Sequence, residues 1–212
     1  QERVFRSLSE GEKMIISFLY FVELCIGKKE ATEIGKKKII VIDAGHGGHD
    51  FGATVDDLSE KKLISDIIEK IKEFYLESDI EIHYTRTSDE FINLKDRTNF
   101  INAINPDLVI SLHINSNKNV DKNGFEIFVS DENELFEKSK MYAENLSNDL
   151  LKTQLKNGGL KSAPLWILNK SKAPSIVVEL GYISNENDRK FLSSEKGQQE
   201  IANTILQFIF NI

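Results

Sequence analysis

Two short runs, Lys38-Ile-Ile-Val-Ile-Asp43 and Asp107-Leu-Val-Ile-Ser-Leu-His113, constrain this chain more than any other feature. Both are rich in β-branched and apolar residues, and neither shows the alternation of a strand that is wet on one face. Such a run is stable as a strand buried on both sides, which calls for a sheet covered by helices. The intervening sequence supplies those helices. From Leu58 to about Tyr75, Leu63, Ile64, Ile67, Ile68 and Ile71 recur at helical spacing. Phe91 to Ile104 reads as a helix stopped by Asn105-Pro106, and Glu195 to Phe210 as a closing helix. Glu132 to Leu155 reads as a long amphipathic helix ended by Asn157-Gly158-Gly159. Further strands are expected at Ile80–Arg86, Gly124–Ser130, Ala163–Leu168 and Ser175–Leu180. Strands alternating with helices imply a layered α/β fold around a largely parallel sheet.

At 212 residues one such domain is expected, with no internal repeat. The net charge of −7 argues against nucleic acid as a partner. Cys25 is the single cysteine, so no disulfide forms within the chain. Residues 1–37 stand apart as an N-terminal helical extension, with 38–212 as the α/β domain. Within the extension, residues 14–27 form an apolar stretch that would span about 20 Å as a helix, short of a bilayer's hydrocarbon core, and Glu23 interrupts it. It is expected to dock on the domain as an amphipathic helix, with membrane contact as the lesser alternative. The opening Gln1 fits removal of a leader, though any other trimmed boundary would look the same.

What ends the strands carries the chemistry. The first run ends in Asp43-Ala-Gly-His46-Gly-Gly, the second in His113, and Glu179 lies near the end of the last strand. Ligands of open α/β sheets bind at the carboxyl ends of strands, so these three residues are expected at one edge. Two imidazoles and one carboxylate make a three-ligand zinc set that leaves a position for water. Glu60 is the natural third ligand to His46 and His113, in the first turn of the helix after the glycine loop. Glu179 is then free to act as general base. Other readings stay open at this point: Glu60 as partner of Asp57 in a capping box, His46 as a turn residue, and His113 as a core histidine. His49 and His83 read as structural or solvated, and Asp43 as a residue that orients a ligand.

Val41-Ile-Asp-Ala-Gly-His-Gly-Gly-His-Asp-Phe-Gly-Ala53 resembles the opening motif of the zinc N-acetylmuramoyl-L-alanine amidases. Ser59-Glu60-Lys61, Tyr84-Thr-Arg-Thr-Ser-Asp89, Ser111-Leu-His-Ile-Asn-Ser116 and Val178-Glu-Leu-Gly-Tyr-Ile-Ser-Asn185 follow in the same order. The resemblance implies a three-layer sandwich with a mostly parallel six-stranded sheet and helices on both faces. It also implies one Zn²⁺ on His46, Glu60 and His113, catalysis by Glu179, and peptidoglycan as substrate outside the cytoplasm. The chain is expected to act as a monomer. Arg86 and Arg97 match family positions and read as structural, each able to pair with a nearby carboxylate such as Asp89 or Asp96; Asn115 is a candidate substrate contact. Between Ser130 and the helix from Glu132 there is no room for the long inhibitory insertion of regulated division amidases.

The residue chemistry alone equally suits a zinc peptidase or deacetylase, and a non-catalytic cell-wall binding module is a further alternative. Retention of all four site residues disfavours the last. Zinc needs neutral imidazoles, so metal binding is expected to weaken as pH falls toward about 6.5.

Overall fold

The computed structural model describes residues 37–75 and 79–212. The expectations for residues 1–36, including the helix at 14–27, lie outside the described residues. Among the described residues no helix is long and apolar enough to cross a membrane.

The elements run β1 (Lys38–Ala44), β2 (Thr54–Val55), β3 (Leu58–Ser59), α1 (Glu60–Phe74), β4 (Ile80–Tyr84), α2 (Leu94–Ile104) and β5 (Leu108–Asn115). They continue with β6 (Phe125–Val129), α3 (Phe136–Leu150), β7 (Asn157–Ser162), α4 (Trp166–Lys170), β8 (Ser175–Tyr182), α5 (Glu186–Leu192) and α6 (Glu195–Asn211). Six strands form one sheet in the order β4-β1-β5-β8-β6-β7, and β2 with β3 makes a separate small hairpin. β4, β1, β5 and β8 are mutually parallel; β6 runs against β8, and β7 runs with β6.

The pleat divides each buried run between two cores. Ile40, Ile42, Leu108, Ile110, Leu112, Ile176 and Val178 join the larger core with Ile64 and Ile67 of α1, Leu146 of α3 and Ile205 of α6. Val41, Val109 and Val177 point the other way, onto Ile101 of α2 and Ile167 and Leu168 of α4. Covered on both faces, the strands have no wet side, which is why their sequences lack alternation. The face with α2 and α4 is the one toward which His113 and Glu179 project, because they share register parity with Val109 and Val177.

The expected sandwich is present, with local differences. Ala163–Leu168 is not a strand: the strand is β7, six residues earlier, and Trp166–Lys170 is helical. Asn157-Gly158-Gly159 lies inside that edge strand rather than ending a helix, since Gly158 lies against Glu126 where a Cβ would fall 2.7 Å from Cγ. The long amphipathic segment is helical only from Phe136 to Leu150. Before it, the Asn133 amide accepts from Leu135 N and donates to the Leu168 and Ser171 carbonyls, holding a turn. α2 begins at Leu94 because the Asn93 side chain accepts from Asp96 N. Helix α5 and the β2–β3 hairpin went unread, being too short for periodicity to show.

Candidate metal centre and active site

β1 delivers its last residues into a glycine loop in which His46 has φ 58°, the left-handed region. This places the imidazole over the carboxyl ends of β1 and β5. The close approach depends on Gly45, where a Cβ would lie 2.6 Å from His113 Cε1. His46 Nδ1 lies 2.8 Å from Asp50 Oδ2. That contact turns Nε2 toward Glu60 Oε1, 3.1 Å away, and His113 Nδ1 lies 2.9 Å from the same oxygen. Glu60 is itself held by two backbone amides: Ile114 N donates to Oε1 at 3.0 Å and Ala53 N to Oε2 at 2.9 Å. Its helix is capped by Ser59 with no side-chain cap bond, so Glu60 is committed to the two histidines and not to a capping box with Asp57.

One ligand atom from each of His46, Glu60 and His113 lies within 4.8 Å of the others, a set that can hold a metal ion. A tetrahedral zinc with bonds of about 2.0–2.1 Å spaces its donors roughly 3.3 Å apart; both contacts to Glu60 Oε1 are within a few tenths of that and the two imidazole donors lie within 4.8 Å of each other, so the donor set fits. Burial on its own would lower the His46 imidazole, but the Glu60 and Asp50 carboxylates override it and raise it to about 9. His113 is likewise raised, by Glu60 against burial. Burial would lift the Glu60 carboxyl, and its bonds to both histidines hold it below the ordinary range instead. Asp50, four residues after His46, is a partner of the cluster that sequence reading missed; a carboxylate that close to a candidate ligand histidine was the available signal.

Glu179 pairs in register with His113 across β5 and β8, so its carboxylate emerges beside the cluster. Its Oε2 is buried without a hydrogen-bond partner. Burial pushes the carboxyl up to about 7; the negative charges of Glu60 and Glu126 add to this, against the histidines. Glu126, also unread in the sequence, faces Glu179 across β6 and β8. Its signal was weak: one carboxylate in an otherwise apolar run. Asn115 is half-buried at this rim, with Nδ2 3.5 Å from Glu126 Oε2 and Oδ1 accepting from Ser116 N.

Asp43 touches neither histidine, contrary to the expectation that it orients a ligand directly. Its carboxylate accepts from Thr85, from Ser111 at 2.6 Å and from Arg97 Nη1 at 2.8 Å, and burial's upward push is outweighed by these partners, leaving the carboxyl lowered. Arg97 pairs with Asp43 and not Asp96, and it also donates to the Ala44, His46 and Ile92 carbonyls. Arg86 donates to the Ala44 and Gly45 carbonyls, while Asp89 binds Lys61. Both arginines bond the backbone of the histidine loop, at the Ala44, Gly45 and His46 carbonyls. His49 is exposed against the Phe91 ring and His83 pairs with Glu81, away from the cluster. A cleft of about 490 Å³ opens beside the centre, lined by His46, Asp50, Phe91, Leu94, Trp166 and His113.

The family model of the N-acetylmuramoyl-L-alanine amidases matches residues 40–211. The chain belongs to that family. A solved amidase, AmiC2 of Nostoc punctiforme, is 33% identical with a TM-score of 0.75, over 82% of this chain and 95% of that one. YqiI, an uncharacterised protein of Bacillus subtilis, is 32% identical over 85% of this chain and 87% of its own length. The amidase CwlM of Bacillus licheniformis is 30% identical over 77% of this chain, which spans 64% of CwlM. The described domain is thus an amidase, a hydrolase of the peptidoglycan amide between N-acetylmuramic acid and L-alanine. The shared fold fits the site: a parallel sheet brings the ends of β1, β5 and β8 to one amidase cleft.

Proposed function

We propose that this amidase is zinc-dependent, with His46, Glu60 and His113 as the metal ligands and Glu179 as the catalytic base. The observation that carries the reading is the convergence of those three donors beside a carboxylate whose buried oxygen has no partner. Bound zinc would supply Lewis-acid polarisation of the amide carbonyl and acidification of water. Glu179 accepts a proton from the attacking water at its carboxylate and returns it to the leaving nitrogen of L-alanine. Without metal, burial holds this carboxyl near 7; a bound cation would favour the carboxylate form, the form that accepts the proton. Asp50 orients His46, and the amides of Ala53 and Ile114 orient Glu60. Asn115 meets substrate amides through the donor not turned to Glu126.

The reading extends to the whole chain. Residues 38–212 form the catalytic domain, 1–37 are an extension outside it, and the protein acts as a monomer on the cell wall, outside the cytoplasm. The test is metal content together with mass spectrometry of digested peptidoglycan. One zinc per chain is expected in the wild type and in Glu179→Gln, with peptides freed at L-alanine by the wild type only. His113→Ala should lose metal and activity together. A Glu179→Gln protein that lost its zinc would show that the ligand and base roles are wrongly divided.

A further inference from the structure

We propose that Lys161, anchored on Glu126, reads a carboxylate on the stem residue that follows L-alanine, and so sets substrate preference; this rests on the amidase reading above. Glu126 stands directly across from Glu179, about 5 Å away by strand spacing. It is only 7% exposed, and its Oε1 accepts from Lys161 Nζ at 2.5 Å and from the Tyr182 hydroxyl at 2.9 Å. Its bond to Lys161 fixes an ammonium at the rim. Gly158 leaves the room for this arrangement on the edge strand, where any side chain would press on Glu126.

Lys161 is 42% exposed. An ammonium has three donors, and the bond to Glu126 leaves others directed to solvent. The reaction decides what passes there. Glu179 hands its proton to the leaving nitrogen, so the amine half of the substrate departs on the β8 side of the centre, and β6 and β7 are the next strands outward. That rim carries Glu179 and Glu126, which repel an acidic stem; Lys161 offsets them. A free carboxylate on the second stem residue gains a charge-assisted bond to Lys161 that a carboxamide in its place does not. The other flank presents Phe91, Leu94 and Trp166, exposed and apolar, a surface that suits the faces of sugar rings and not a charged peptide.

The experiment compares kcat/KM of the zinc-loaded full chain on two glycan-peptide substrates. They differ only at the second stem residue, D-isoglutamate with its free carboxylate or D-isoglutamine with its amide. The wild type should favour the acid about tenfold, the value of one such bond, and the preference should shrink with added salt. Lys161→Met should bring the ratio near one, chiefly through KM on the acid, and Lys161→Arg should keep most of it. Zinc content and circular dichroism verify the fold of both variants. A wild-type ratio near one, or a ratio unchanged in Lys161→Met, overturns the role of Lys161 and leaves the amidase reading intact. Cleavage of neither substrate by the wild type brings down the amidase reading and this inference with it.

Discussion

Replacing Glu179 by Gln should abolish turnover and, in the metal-free protein, shift stability in a direction that depends on pH. The carboxyl titrates at an ordinary 4.5 in the unfolded chain and at about 7 in the fold, because burial penalises its charge. Below 4.5 it is protonated in both states and ionisation costs nothing. Between 4.5 and 7 the unfolded chain has released its proton while the fold retains it, so stability falls as pH rises. Above 7 the loss is complete. At 1.36 kcal/mol per pH unit the penalty is roughly 3 kcal/mol at pH 8 and about 1 kcal/mol at pH 5. Gln removes it but buries an amide that costs about 1–3 kcal/mol if unsatisfied, a term that does not change with pH. The robust quantity is therefore the difference: relative to wild type, Glu179→Gln should gain about 2 kcal/mol between pH 5 and pH 8. Urea unfolding of chelator-treated protein at several pH values reads this directly. With metal bound the gain should shrink, because a nearby cation favours the carboxylate. An identical stability difference at pH 5 and pH 8 would refute the claim that Glu179 is held in a desolvated site. Turnover should drop about 10²–10⁴-fold if the carboxylate moves the proton.

Arg97→Met should cost about 3–5 kcal/mol in thermal unfolding by stranding the buried Asp43 carboxylate, and Asp43→Asn in the same chain should recover part of it; a loss under 1 kcal/mol would show that the pair does not hold the loop. Gly52→Ala places a Cβ 2.4 Å from Glu60 Oε2 at φ +65°, so zinc affinity measured by chelator competition should fall about 10–100-fold, and an unchanged affinity would count against Glu60 as ligand. Protons compete for His46 up to about pH 9, well above a free imidazole, so zinc affinity should keep rising from pH 7 to 8.5; a flat profile over that range would show that the carboxylates do not control the imidazole. Asp50→Asn should flatten that rise and weaken metal binding about 10-fold or more, read in the same titration.

The sequence by itself pointed to the sheet and to three residues at its edge, His46, His113 and Glu179; Glu60 joined them firmly only through the family resemblance. Runs such as Lys38–Asp43 and Asp107–His113 are apolar on both faces and fit only the middle of a covered sheet. A parallel sheet then puts the ends of its strands together, which is how His46, His113 and Glu179 could be gathered before any contact was known. Local pattern could not reach further. Glu126 is one residue in an apolar strand until β6 turns antiparallel and sets it opposite Glu179. Arg97 has Asp96 beside it in sequence, yet its partner is Asp43, 54 residues away, because only there does a buried guanidinium meet both a carboxylate and the carbonyls of the histidine loop. β7 was misplaced for a similar reason: two glycines read locally as a helix stop, whereas the fold uses Gly158 to admit the Glu126 side chain. Periodicity records which face of an element is buried. Which charges meet across elements is decided by register and by desolvation, and those exist only once the chain has packed.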